Sequence, residues 1–147
     1  MANAQPLHHG TRGRTAGVDP LDVLLRTGIV TLAIATGAIH LTLGGLLFTL
    51  NGLGYLVAAV AMVLPWGLAV RFRWLIRLGL IGYAAVTILG WALDGPRYDT
   101  AYLAKAIEVA LIGLVALEFW RLDGSPVDVA RREVRGGLRA LRRATAR

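Results

Sequence analysis

The sequence predicts an all-α membrane protein: four transmembrane helices arranged as two antiparallel hairpins, followed by a basic amphipathic C-terminal helix. Three observations predict it. Hydrophobic residues make up 56% of the 147 residues and the mean hydropathy is +0.59, well above a soluble composition. Charged residues are 17% of the chain and crowd into its two ends and two short internal stretches. Between them lie four apolar runs, each close to the roughly 20 residues that a helix needs to cross about 30 Å of hydrocarbon. These runs are apolar on all sides and rich in Leu, Ala, Ile and Gly, without the period-two alternation of a membrane barrel.

Residues 1–20 are polar, carry Pro6, Gly10, Gly13, Gly17 and Pro20, and show no apolar period, so they read as a flexible tail. His8 and His9 belong to that tail as a solvated pair. Residues 21–122 form the expected bundle. Its first span covers about residues 24–43, after a helix start at Asp19-Pro20. The run is too long for the apolar region of a cleavable signal, and a second run follows almost at once. Gly44-Gly45 supplies a tight reversal into the second span, about residues 46–64, which ends at Pro65 and Trp66.

Arg71, Phe72, Arg73, Trp74 and Arg77 then read as a short basic loop at the membrane surface, with aromatics of the kind that settle at the interface. The third span takes about residues 78–93. A turn of near-balanced charge, Asp94 to Asp99, leads to the fourth span at about residues 101–120. Residues 123–147 follow as a basic tail or interfacial helix. Gly124-Ser125-Pro126 breaks the fourth span, and Val127, Ala130, Val134, Leu138 and Leu141 recur at helical spacing. Arg131, Arg132, Arg135, Arg139, Arg142 and Arg143 fill much of the remaining circumference, a pattern suited to anionic headgroups. Gly136-Gly137 weakens this helix mid-way.

The positive charges set the orientation. One side of the bundle receives Arg12, Arg14, Arg26, Arg71, Arg73, Arg77, Arg121 and the basic tail, while the other receives Arg97 and Lys105. That bias puts both termini in the cytoplasm and the chain in the cytoplasmic membrane. The net charge of +7 therefore belongs to the membrane surface, and no recognition fold or aromatic platform accompanies it that would suit nucleic acid. The absence of Cys excludes disulfides, thiolate metal sites and thiol nucleophiles, and two Met with three His do not make a metal site.

Small residues give the packing faces: Ala33, Gly37, His40 and Gly44 in the first span, Gly54 and Ala58 in the second, and Gly79 and Tyr83 aligned with Thr87 and, one turn further, Trp91 in the third. The polar residues carry more. At 1.5 Å per residue, His40 lies about 6 Å inward from the outer turns, Lys105 about 8 Å, Asn51 about 10 Å and Glu108 about 12 Å. Lys105 and Glu108, three apart, pair on one helical face. An ionised Glu facing lipid costs several kcal/mol, so the cluster is expected to point inward, with Tyr55 and Thr36 at its inner edge and Tyr83 contributing from the third span. Glu118 is expected to pair with Arg121 at the opposite interface.

Four readings of the cluster compete: a structural network that fixes helix register; a proton or ion path titrating at His40 and Glu108; a lipid-headgroup or small-molecule site open to the outer leaflet; and a haem or quinone site. No cofactor is implied, because one membrane His supplies one axial ligand and haem needs a second from another chain.

Gly37-Ala38-Ile39-His40-Leu41, the glycine hairpin, and Lys105-Ala106-Ile107-Glu108 in the last span resemble small four-span prokaryotic membrane families of unknown function. In span number and spacing, residues 24–120 are also similar to the DoxX-like four-helix proteins. The resemblance implies a four-helix fold and an accessory, partner-dependent role. No nucleophile, base and orienter set is present. The sequence therefore predicts a non-enzymatic accessory or scaffold subunit that meets membrane lipids and a protein partner or a second copy of itself. The alternatives are a small transporter or proton conductor using His40 and Glu108, and an outer-leaflet lipid-binding protein.

Overall fold

The computed structural model describes residues 19–65 and 67–145, and these fold into six helices and no strand. They are α1 (Pro20–Thr42), α2 (Leu46–Val63), α3 (Gly67–Arg71), α4 (Arg73–Asp94), α5 (Asp99–Leu122) and α6 (Pro126–Thr145). Four of them, α1, α2, α4 and α5, are long and apolar enough to cross a membrane. His8 and His9 lie outside the described residues.

Local chemistry sets the boundaries. Asp19 caps α1 by accepting the Leu21 N–H at 2.9 Å, and Pro20 occupies the first helical position, where its missing N–H has no role to lose. Gly44 and Gly45 both have positive φ, 72° and 82°, which an L side chain resists, so the reversal into α2 takes three residues. Gly124, at φ 83°, makes the corresponding break between α5 and α6.

The third long helix differs from the sequence expectation. It starts at Arg73, not near residue 78, and the supposed basic loop contains the short helix α3. Arg is a good helix former, and here the guanidinium groups find partners inside the fold. Arg73 Nη2 donates to the Leu64 carbonyl at 3.3 Å, tying α4 to the end of α2.

Packing is closest between α1 and α2, with α5 against α1 and α4 against α5, while α2 and α4 meet more sparsely. The α1–α2 contact is backbone to backbone. A Cβ on Gly52 would lie 2.8 Å from both the Gly37 carbonyl oxygen and Leu41 Cγ, so only glycine permits this approach. Sequence reading found Gly37 and missed Gly52. Midway along the bundle Ile29, Met62, Leu80, Leu111 and Val115, each 2% exposed or less, close a dry apolar layer.

α6 is a continuous helix through Gly136-Gly137. Its Val127, Val134 and Leu138 are exposed and Val129 is buried, so most of its apolar stripe faces away from the bundle. Arg131, Arg132, Arg135 and Arg139 are exposed along it.

Candidate functional site

Two polar clusters interrupt the apolar bundle, one on each side of the apolar layer. The first lies toward the end that carries the Gly44-Gly45 turn. Its hub is Glu108 on α5, a carboxylate with no solvent exposure. Lys105, one turn earlier on the same helix, places Nζ 2.7 Å from Oε2. Thr87 on α4 places its hydroxyl 2.8 Å from the same oxygen. Thr36 on α1 donates to Oε1 at 3.4 Å, and His40 Nε2 lies 3.6 Å from Oε1. Tyr55 supplies the α2 connection: its hydroxyl is 3.0 Å from Thr87 Oγ1.

Proton counting fixes most directions in this network. The Thr87 hydroxyl has one proton, aimed at Glu108 or at the Ala84 carbonyl 2.9 Å away, so Tyr55 donates to Thr87. His40 Nδ1 is 2.8 Å from the Thr36 carbonyl oxygen, which can only accept. Nδ1 therefore carries a proton, and Nε2 faces Glu108 either as a bare acceptor or as the second N–H of an imidazolium. His40, Thr36 and Tyr55 are 2% exposed or less, and the Tyr55 ring sits 5.7 Å from His40 and edge-on to Tyr83 at 4.9 Å. A carboxylate in so dry a place needs its charge met by an opposite charge and by hydrogen bonds. Lys105 meets the charge; Thr36 and Thr87 supply the bonds.

All six residues expected in this cluster lie at this end of the bundle. His40, Lys105, Glu108 and Thr36 are directly linked, Tyr55 joins through Thr87, and Asn51 stands beside them without a side-chain hydrogen bond among the described residues. Thr87 was missed as a ligand of Glu108. Its position one turn beyond Tyr83 on the packing face of α4 was the available signal.

Beside the cluster lies a cavity of about 440 Å³. His40, Asn51, Thr87 and Lys105 form its polar part, and Phe48, Tyr83 and Trp91 supply aromatic walls. Leu47 and Val86, 76% and 67% exposed, line its side between α2 and α4, which pack against each other more sparsely than α1 on α2, α1 on α5 or α4 on α5. At its rim Trp91 Nε1 donates to the Pro96 carbonyl at 2.7 Å, and the Arg97 guanidinium lies 4.4 Å over the Trp91 ring. Compared with family models, with curated proteins and with solved structures, the chain finds no match.

The second cluster occupies the opposite end and corrects two expectations. Arg77 is not a surface cation: it is 2% exposed and donates from Nε to Glu118 Oε2 at 2.8 Å and from Nη1 to Asp123 Oδ2 at 2.5 Å. Glu118 does not pair with Arg121. It is fully buried, and its Oε1 accepts from Arg26 Nε at 3.2 Å. Arg121 instead reaches Asp19 and Asp22, both at 3.1 Å. The reason is helical phase: Glu118 faces α1 and α4, and Arg121 reaches only the first turn of α1. Arg71 stays exposed, stacked 5.5 Å from the Phe72 ring, and Arg132 donates to the Asp123 carbonyl. The side chains of Arg142 and Arg143 lie outside the described residues.

Among the described residues no three His, Asp or Glu side chains converge as metal ligands. His40 turns one ring nitrogen to the Thr36 carbonyl at 2.8 Å and the other toward Glu108 at 3.6 Å.

Proposed function

We propose that this chain is a non-enzymatic four-span membrane protein whose function is to hold a small amphipathic molecule in the cavity between α2 and α4. The observation that carries the reading is the cavity itself: it joins a hydrogen-bonding floor to apolar walls and has exposed apolar residues along the gap between two helices. The four spans run as two antiparallel hairpins in the cytoplasmic membrane, with both termini inside and the Gly44-Gly45 turn outside. The arginine bias of the opposite end supports that orientation. α6 lies along the inner surface, its outward apolar stripe in the headgroup boundary and its arginines on anionic lipid; the exposure of Val127, Val134 and Leu138 supports this.

Conduction by His40 and Glu108 is the less favoured reading. From Glu108 to Glu118 is ten residues, about 15 Å of helix, and the space beside it is filled by Ile29, Met62, Leu111 and Val115 without a polar group. A proton leaving Glu108 toward the basic end meets no acceptor there among the described residues.

The test is native mass spectrometry of the full chain released gently from its own membranes. A bound molecule of defined mass is expected, and Gly90→Phe should remove it. Gly90 lines the cavity and a Cβ there meets nothing within 4 Å, so a large side chain can be introduced at the cavity wall without a backbone clash. A protein that carries nothing, in which Gly90→Phe changes no property, would falsify the proposal. Liposomes with an internal pH dye test the rival: flux above that of lipid alone, abolished by Glu108→Gln, would establish conduction instead.

A further inference from the structure

We infer that the molecule held in this cavity is a membrane lipid with an uncharged head bearing oxygen acceptors, of the diacylglycerol type, entering sideways from the outer leaflet. The inference rests on the binding function proposed above and names its ligand class.

Charge is the first argument. The cation on the cavity wall, Lys105, is compensated by Glu108 directly behind it at 2.7 Å. At the rim Asp94 and Arg97 belong to one exposed turn and carry opposite charges, the Arg97 guanidinium lying over Trp91 and donating to the Ala92 carbonyl. The charge on the floor is thus compensated, and the exposed rim carries one charge of each sign. An anionic head entering the floor would meet a lysine already neutralised and a buried carboxylate behind it. An ammonium head would meet Lys105 first. At that floor either ion would lose hydration without gaining a free counter-charge, whereas a neutral head loses little.

Hydrogen-bond capacity is the second. Lys105 Nζ has three N–H groups; one serves Glu108 and one the Thr87 carbonyl at 3.4 Å, which leaves the third without an acceptor among the described residues. The Asn51 amide adds donors on the α2 side, its backbone carbonyl being occupied by the Tyr83 hydroxyl at 3.1 Å. The wall therefore offers donors from two helices, which suit hydroxyl and ester-carbonyl oxygens.

Access is the third. Leu47 and Val86 are at once cavity lining and exposed surface, so the cavity opens between α2 and α4 onto the side of the bundle that acyl chains cover. Toward the turns, Trp91 is held by Pro96, by Arg97 and by the Tyr102 ring at 5.2 Å, which makes a firm rim on the water side. A ligand with a tail can leave that tail in the bilayer; a water-soluble one gains nothing from the lateral gap.

The experiment uses the full chain in phosphatidylcholine nanodiscs with two photoreactive probes carrying the same diazirine acyl chain, one a diacylglycerol and one a phosphatidic acid. Labelled peptides are mapped by mass spectrometry. The diacylglycerol probe is expected to label α2 and α4 beside the cavity at least tenfold more than the phosphatidic acid probe. Unlabelled diacylglycerol should compete, Gly90→Phe should abolish the labelling, and Lys105→Met should weaken it. Equal labelling, or a preference for phosphatidic acid, overturns the inference and leaves the binding function standing. So does a failure of both probes to label the cavity when native mass spectrometry still finds another bound mass. If no mass is found and Gly90→Phe is silent in every assay, the binding function falls and the inference with it.

Discussion

Arg77 donates its Nε proton to Glu118 across 2.8 Å, joining α4 to α5 at a depth where both side chains are withdrawn from solvent. Arg26 reaches the same carboxylate from α1, so three helices meet on one buried negative charge. Removing one member of such a set leaves an unpaired charge, which is costlier than removing the pair. Glu118→Leu is expected to destabilise the bundle by about 3 kcal/mol, measured by thermal unfolding in detergent. The double variant Glu118→Leu with Arg77→Leu should recover part of that loss. A double variant less stable than the single would show that the pair acts through something other than mutual charge compensation.

Thr87 joins the hydroxyl of Tyr55 to the carboxylate of Glu108, so one side chain serves two buried partners. Thr87→Val keeps the volume and deletes the hydroxyl. Loss of a hydrogen bond to a charged group should cost about 1.5–3 kcal/mol. Unfolding midpoints compared for Thr87→Val and Thr87→Ser check this: the serine variant, which keeps the hydroxyl, should retain most of the stability. If both lose equally, the methyl group and not the bond is what matters.

Gly52 sits where α1 and α2 touch backbone to backbone. Gly52→Val must push the helices apart, and overpacking of that kind costs about 1–3 kcal/mol or more. Gly113, where a Cβ meets nothing within 4 Å, is the control. Gly113→Ala should be neutral or mildly stabilising, because alanine is the better helix former. A tolerated Gly52→Val, seen as an unchanged melting midpoint, would mean that the close approach is not needed.

α6 gives a prediction on lipid composition. In nanodiscs containing anionic phosphatidylglycerol, trypsin should cut at its arginines more slowly than in neutral phosphatidylcholine. The triple variant Arg131→Gln, Arg135→Gln, Arg139→Gln should remove the slowing of cleavage at the remaining arginines. Each basic residue near an anionic surface contributes about 1 kcal/mol, and added salt should weaken the protection. Identical cleavage in both lipids would place α6 away from the surface.

The sequence by itself determined the number of long helices and most of their ends. Hydrocarbon thickness sets the length of an apolar run, and Asp19-Pro20, Gly44-Gly45 and Gly124 act through their own backbone chemistry. Rise per residue converts position into height along a helix without knowledge of neighbours, and that ground alone groups His40, Lys105 and Glu108, which the structure brings together at one level of the bundle. Azimuth is different. Which way a side chain points around its helix matters only relative to the other helices, and their rotation is decided by packing. Tertiary structure alone therefore made Thr87 a partner of Glu108 and brought Gly52 against Gly37. It also drew Arg77 out of a supposed surface loop onto the buried Glu118 and sent Arg121 to Asp19 and Asp22. Depth is a property of one helix, whereas a contact belongs to two, and the pairing of the buried charges is a matter of contact.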